Sequence, residues 1–244
     1  MINISPIGSS SRGNAYHITD NTTPILLDAG LQYKQIQKGL NFQTSQLKGC
    51  LISHEHGDHI KAVPNLIRAG IDVYMSEGTK EALDIDNHRI KVIGAKKLFD
   101  IGTWKILPFE TKHDCQQPLG FYMRNKAGKN LLYATDTFYL KDKFKELNYI
   151  MIECNHSRKI LNKKVKNGII SPQQKKRIIQ THFGLEQVIK FLKANDLSKV
   201  NEIWLLHLSD RNSNAKLFKK EIQELTGKMV KVAEKYKGGN INVK

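Results

Sequence analysis

The sequence predicts an α/β (α+β) layered domain in which helices cover sheet faces. Three observations lead there. Short apolar runs alternate with turn residues through the first half, amphipathic patterns at helical spacing interleave with them, and several runs end in histidine or aspartate. The 244 residues are 40% apolar and 25% charged, with six prolines. That composition excludes a disordered chain and suits one large domain, residues 1–244, better than two catalytic ones.

In chain order, Ala15–Thr19 and Pro24–Asp28 read as strands joined by the turn Asp20–Thr23, with Gly30 closing the second. Gln32–Leu40 reads as a helix and Leu47–Ser53 as a buried strand. Ile60–Ala69 carries its apolar residues at helical spacing. Ile71–Tyr74 follows as a strand and Thr79–Leu83 as a short helix. Ile90–Ile93, Lys97–Phe99, Thr103–Phe109, Gly120–Arg124 and Asn130–Ala134 read as successive strands, the last two about the turn Lys126–Lys129. Tyr149–Glu153 and Glu202–His207 are apolar runs ending in ionisable residues. Leu185–Lys193 and Asn214–Leu225 are amphipathic helices, the second able to serve as a homodimer interface, and Met229–Ala233 is a last strand.

Several classes of protein are set aside. No apolar run approaches the roughly eighteen residues of a membrane span. The opening MINISPIGSS has neither the basic nor the apolar region of a secretory signal. Three cysteines, Cys50, Cys115 and Cys154, are an odd and sparse set, so buried or partly buried thiols are expected and no disulfide framework. A reduced, cytoplasmic protein is the expectation. No G-x-S-x-G nucleophile elbow and no phosphate-binding P-loop is present.

The charge points to polyanions. Lys and Arg number 39 against 23 Asp and Glu, a net +16. From Arg158 to Arg177 there are eight basic residues and no acidic one, and Gly168 and Pro172 divide the stretch. It reads as a basic helical insertion at about 157–180; the plain alternative is a solvated helical pair.

The sharpest chemical signal is S-H-E-H-G-D-H, Ser53–His59, directly after an apolar strand. His54 and His56 are two apart, so in extended backbone both point to one side. Asp58 and His59 follow once the chain turns. Imidazole with carboxylate suits Zn²⁺, and also Mn²⁺ or Fe²⁺. One such motif cannot complete two metal sites, so further ligands are sought at strand ends, where a rigid sheet places them best. His113, Asp136 and His207 each stand at such an end.

These motifs resemble the metallo-β-lactamase superfamily, whose first metal motif HxHxDH is matched in full by His54, His56, Asp58 and His59. The likeness runs through nearly the whole chain and is greatest to the YycJ/WalJ-like branch of exonuclease-like hydrolases. It is carried also by G-S-S-S-R-G-N-A near the start, L-L-D-A-G at Leu26–Gly30 and H-D-C-Q-Q-P-L-G-F from His113. A-T-D-T at Ala134–Thr137, E-C-N-H at Glu153–His156, T-H-F-G at Thr181–Gly184 and H-L-S-D-R-N from His207 complete the set.

The resemblance implies an αββα sandwich, two mixed β-sheets flanked by helices, with two divalent metal ions, expected to be Zn²⁺. It assigns His54, His56 and His113 to one ion and Asp58, His59 and His207 to the other, with Asp136 bridging. Two such cations roughly 3.5–4 Å apart can lower the pKa of a shared water, giving a hydroxide for in-line attack on phosphorus. In the tRNase Z branch a histidine in a comparable element protonates the leaving oxygen; His182 is the counterpart here, or else only a structural histidine at the start of a helix. Asp58 and His182 are thus the residues expected to act in catalysis. Glu153, His156 and Asp28 are expected to orient the metal-binding histidines.

The basic stretch selects among substrates. Lys163, Lys164, Lys166 and Arg177 are expected to bind nucleic acid, DNA before RNA, with counterion release making binding salt-dependent. The expected function is therefore a metal-dependent phosphodiesterase or nuclease acting on DNA ends. The alternatives are a small-molecule phosphodiesterase, for instance on a cyclic nucleotide, an RNA-processing nuclease, and a non-catalytic nucleic-acid-binding protein.

Overall fold

The structure, a computed structural model, describes residues 1–236. Its strands form two mixed sheets, of six and seven strands. The chain divides into two compact units. The first holds Met1–Glu110, Cys115–Lys129 and residues 234–236; the second holds Thr111–Asp114 and Asn130–Ala233.

In the first unit, β1 (Asn3–Gly8), β2 (Ala15–Thr19) and β3 (Pro24–Leu27) form an antiparallel meander. Asp20 shapes its second turn, its Oδ1 accepting the amides of Thr22 and Thr23 at 3.1 and 3.0 Å. From β3 onward the sheet is parallel through β4 (Cys50–Leu51), β5 (Val73–Met75) and β6 (Ile90–Val92). Helices occupy the crossovers: α1 (Tyr33–Gly39), then α2 (Gly57–Ile60) and α3 (Val63–Arg68), then α4 (Glu77–Leu83). One apolar cluster joins Ile36, Val63, Leu66 and Ile67 of the helices to Leu26, Cys50, Val73 and Met75 of the strands. That burial holds the helices on the sheet. A second meander, β7 (Phe99–Ile101), β8 (Trp104–Glu110) and β9 (Leu119–Asn125), completes the unit.

The second unit is a parallel sheet of β10 (Asn130–Ala134), β11 (Leu147–Glu153), β12 (Glu202–Leu206) and β13 (Met229–Val232). Every residue of β10 and β11 is buried, as expected of parallel strands covered on both faces. Helix α7 (Leu185–Ala194) buries Leu185, Val188, Phe191 and Leu192, and α8 (Ala215–Thr226) buries Phe218 and Ile222. The basic stretch forms α5 (Arg158–Lys166) and α6 (Pro172–Thr181), the latter started by a capping box between Ser171 and Gln174. This pair contributes almost nothing to the core, for α5 buries Leu161 alone and α6 nothing. Among the described residues, no helix is long and apolar enough to cross a membrane.

Three elements differ from the expectation. The helix over Ile60–Ala69 is two helices, because the Ala62 amide turns away to the Ala29 carbonyl at 2.8 Å and Pro64 starts the second. Strand β1 was not expected; its Pro6 and sparse apolar residues disguise it, and a proline is tolerated because β1 is a sheet edge. The strand expected over Leu47–Ser53 is only Cys50–Leu51: Leu47 closes a short turn before it, and at its far end the Ser53 amide leaves the ladder for the Asp28 carboxylate, 2.7 Å away.

Trp104 anchors the second meander: it is fully buried and its Nε1 donates to the Thr23 carbonyl at 2.9 Å. Trp104→Phe removes that bond and leaves a void, so we expect a loss of about 2–4 kcal/mol in chemical unfolding. An unchanged unfolding midpoint contradicts this role.

Candidate metal centre

In the first unit, everything turns on the ends of β3 and β4. Asp28 follows β3 with φ of +56°, a left-handed conformation that swings its fully buried carboxylate under the motif. Oδ1 accepts the Ser53 amide at 2.7 Å; Oδ2 takes the Ser53 hydroxyl at 3.0 Å and His59 Nδ1 at 2.7 Å. The serine has one proton, which goes to Asp28, so its oxygen accepts from His54 Nδ1 at 3.0 Å. Both imidazoles are thereby set with Nδ1 protonated and the lone pair on Nε2, the form a metal takes.

The rings of His54 and His59 lie 4.1 Å apart, and those of His54 and His56 4.8 Å apart, edge to face. His59 Nε2 and Asp58 Oδ2 are 3.6 Å apart, close enough to share one cation at bonds of about 2 Å. Nitrogen and carboxylate donors of this kind fit Zn²⁺, Mn²⁺ or Fe²⁺.

Two residues here have a positioning role that the sequence reading did not assign. Asn14 is fully buried, with Nδ2 3.1 Å from His59 Nε2 and 3.3 Å from Asp58 Oδ2, while its amide donates to the Asp58 carbonyl at 2.8 Å. Ser53 sets the His54 tautomer. Both lie inside quoted motifs, G-S-S-S-R-G-N-A and S-H-E-H-G-D-H, but no local pattern gives either its task here. Gly30 is obligatory for a different reason: a Cβ there would stand 1.6 Å from the Asp58 carbonyl oxygen. Glu55, in the middle of the motif, faces elsewhere and accepts the Gln116 amide at 2.6 Å.

In the second unit, Asp136, Glu153 and His207 stand at the C-terminal ends of three neighbouring parallel strands, where open α/β sheets bind ligands. Asp136 and His207 both have left-handed backbone, with φ of +39° and +51°. Glu153 is fully buried and organises the group. Its Oε1 takes His182 Nδ1 at 2.7 Å and His207 Nδ1 at 3.0 Å; its Oε2 accepts the amides of Thr137 and Phe183 at 3.1 and 2.9 Å. Asp136 Oδ1 lies 2.6 Å from His207 Nδ1 and 3.3 Å from His182 Nδ1. The donor atoms of Asp136, Glu153, His182 and His207 all lie within 4.8 Å of one another. His113 Nδ1 donates to the Thr181 carbonyl at 2.8 Å, again leaving Nε2 as the lone-pair nitrogen.

Electrostatics separate the histidines. Burial opposes a charge on His182, but the carboxylates of Glu153 and Asp136 outweigh it and raise its pKa to about 10. A cation on Asp136 would cancel part of that pull and bring the ring nearer the range of a working acid. Burial lowers the pKa of His113, despite the same two carboxylates nearby. Burial also pushes the Cys50 and Cys154 thiols well up, as inert core residues; Cys115 is half-buried.

Two expectations need correction. His156 was to orient a histidine, yet neither of its ring nitrogens has a hydrogen-bond partner; the ring packs on Gly184, whose Cβ would stand 2.7 Å from Nε2. Lys164 was to bind substrate with its neighbours. Instead its Nζ bonds the Arg211 carbonyl and, at 3.1 Å, Asn212 Oδ1, pinning α5 to the segment after β12. Lys163, Lys166 and Arg177 are exposed.

Two mixed sheets flanked by helices, with histidines and aspartates at strand ends in each unit, are the architecture of the metallo-β-lactamase fold, and the relatives below make the chain a hydrolase of that fold. Residues 23–207 match the model of the beta-lactamase superfamily domain, and the chain belongs to that family. It is 31% identical over 224 residues to exodeoxyribonuclease WalJ of Streptococcus pneumoniae, covering 85% of this chain and 81% of that one. It is 27% identical over 241 residues to exodeoxyribonuclease YycJ of Bacillus anthracis, covering 92% and 89%. Its fold is similar to that of the metallo-β-lactamase fold protein YhfI from Bacillus subtilis, with a TM-score of 0.72, 15% identity and 96% of each chain covered.

His156 yields a test of the packing around this centre. Burial, helped by the charges of His182 and Arg158, lowers its pKa from 6.5 to about 4. The unfolded chain takes up this proton near pH 6.5 and the folded chain only near pH 4. Its contribution is therefore whole above pH 6.5 and is lost as pH falls toward 4, by about 3 kcal/mol. With metal chelated, His156→Leu should flatten the fall in stability over that interval. A variant that declines as steeply as the parent contradicts the assignment.

Proposed function

We propose that this protein is a divalent-metal-dependent phosphodiesterase that trims DNA ends. The donor chemistry carries the reading: histidines held through Nδ1, with Nε2 left as the lone-pair nitrogen, and aspartates at the ends of rigid strands. The curated relatives, both named exodeoxyribonucleases, support DNA as the substrate. The exposed basic faces of α5 and α6 support a polyanion.

In this reading His54, His56 and His113 would hold one Zn²⁺ ion and Asp58, His59 and His207 a second, with Asp136 serving both. When bound, such a pair supplies Lewis acidity and a water of lowered pKa. The chain's own residues do the rest. Asp28 and Glu153 keep His59 and His207 in the ligating tautomer through hydrogen bonds of 2.7 and 3.0 Å. His182, half-exposed and protonated through Glu153, gives its proton to the leaving oxygen. Lys163, Lys166 and Arg177 draw the phosphate backbone in.

Asp58→Ala should abolish metal-dependent cleavage of end-labelled DNA, at least about a thousandfold in kcat, with the circular dichroism spectrum unchanged. Turnover at the parent's rate removes Asp58 from the site. The substrate class is tested by replacing Lys163 and Lys166 with Gln, sparing the structural Lys164. KM for DNA should rise about tenfold, and the slope of log affinity against log salt should fall by roughly two. A small chromogenic phosphodiester should show neither effect, and equal losses on both substrates would leave a small phosphodiester as the better reading.

A further inference from the structure

We propose that Phe138 and Tyr139 form a stacking shelf for an unpaired nucleobase at the strand end being cut, an inference that rests on the phosphodiesterase reading above. The two residues follow Asp136 in the loop between β10 and β11. Both rings face solvent, Phe138 40% exposed and Tyr139 55%.

The loop that carries them is pinned at this point. Thr137 is fully buried, and its amide donates to Glu153 Oε2, the carboxylate that also fixes His182 and His207. Its hydroxyl donates to the Tyr139 carbonyl at 2.9 Å and accepts the Lys112 amide at 2.9 Å. The Phe138 amide donates to the Lys112 carbonyl at 3.0 Å. The rings therefore stand on backbone held by these bonds, and chain length keeps their Cα atoms within about 7–11 Å of that of Asp136.

Their surroundings choose the occupant. Lys112 is bonded to this loop through its backbone, and Lys141 and Lys143, with Asp142 between them, follow Tyr139 in the chain; all four side chains are exposed, on a chain with a net charge of +16. Aromatic faces flanked by cations suit a nucleotide, whose base stacks while its phosphates meet the lysines. A base inside a duplex has its faces covered, so the shelf selects an unpaired terminal nucleotide. Every base has a π-face, so sequence preference should be weak.

The test uses single-stranded oligonucleotides carrying 2-aminopurine at either terminus, mixed with the full-length protein in EDTA so that nothing is cleaved. Binding should quench the probe at one terminus. Replacing that terminal base with an abasic unit should weaken binding by about five- to a hundredfold. In the double variant Phe138→Ala, Tyr139→Ala the quench should vanish and base and abasic ends should bind alike. Tyr139→Phe should keep both the quench and the discrimination. No quench with the parent protein, or a base-to-abasic ratio that survives the double substitution, overturns the shelf. The underlying reading is tested separately: ring-dependent quenching in a protein that cleaves no phosphodiester when given metal would sink the enzyme and spare the shelf.

Discussion

A carboxylate taken wholly out of water must have its charge met by neighbours, and two such groups govern this protein. Asp28 is met by one amide, one hydroxyl and one imidazole; Glu153 by two imidazoles and two amides. In meeting that charge the partners lose their freedom. His59 and His207 each have a single tautomer and ring orientation imposed, and Ser53 passes the constraint on to His54. Removing either carboxylate would release several donors at once. The left-handed backbone at Asp28, Asp136 and His207, a strain of about 1–3 kcal/mol each, persists because the strand ends must turn these side chains inward.

Rigidity and charge are divided between different elements. Of the two carboxylates that position the histidines, Glu153 ends β11, whose every residue is buried, and Asp28 follows β3, buried but for Pro24. The lysines and arginine proposed for substrate sit on α5 and α6, which bury one residue between them. Elements with little buried apolar surface open at low cost, which suits a surface that must follow a long and irregular polyanion. Chemistry needs a fixed geometry and docking tolerates a loose one.

Much of the centre was legible because chemistry left dense marks: four potential ligands within six residues, and further ones closing apolar runs. What failed to show depended on hydrogen bonds between distant segments. Asn14 meets Asp58 and His59 across more than forty residues, and no local pattern announces it. His156 and Lys164 misled for the opposite reason, since their composition matched a role that their surroundings do not support. Among the elements, the amphipathic helices α7 and α8 were plain from periodicity, whereas β1 was hidden by its proline and its edge position. Phe138 and Tyr139 carried no signal in the sequence, because exposure is not written in residue type.

The most direct measurement of the central claim is anomalous scattering from crystals grown with zinc, with data taken on both sides of the zinc absorption edge. The account predicts two peaks per chain, roughly 3.5–4 Å apart. One should lie against Nε2 of His54, His56 and His113, the other against His59, His207 and Asp58, with Asp136 reaching both. A single peak, peaks on other residues, or none at all would contradict it.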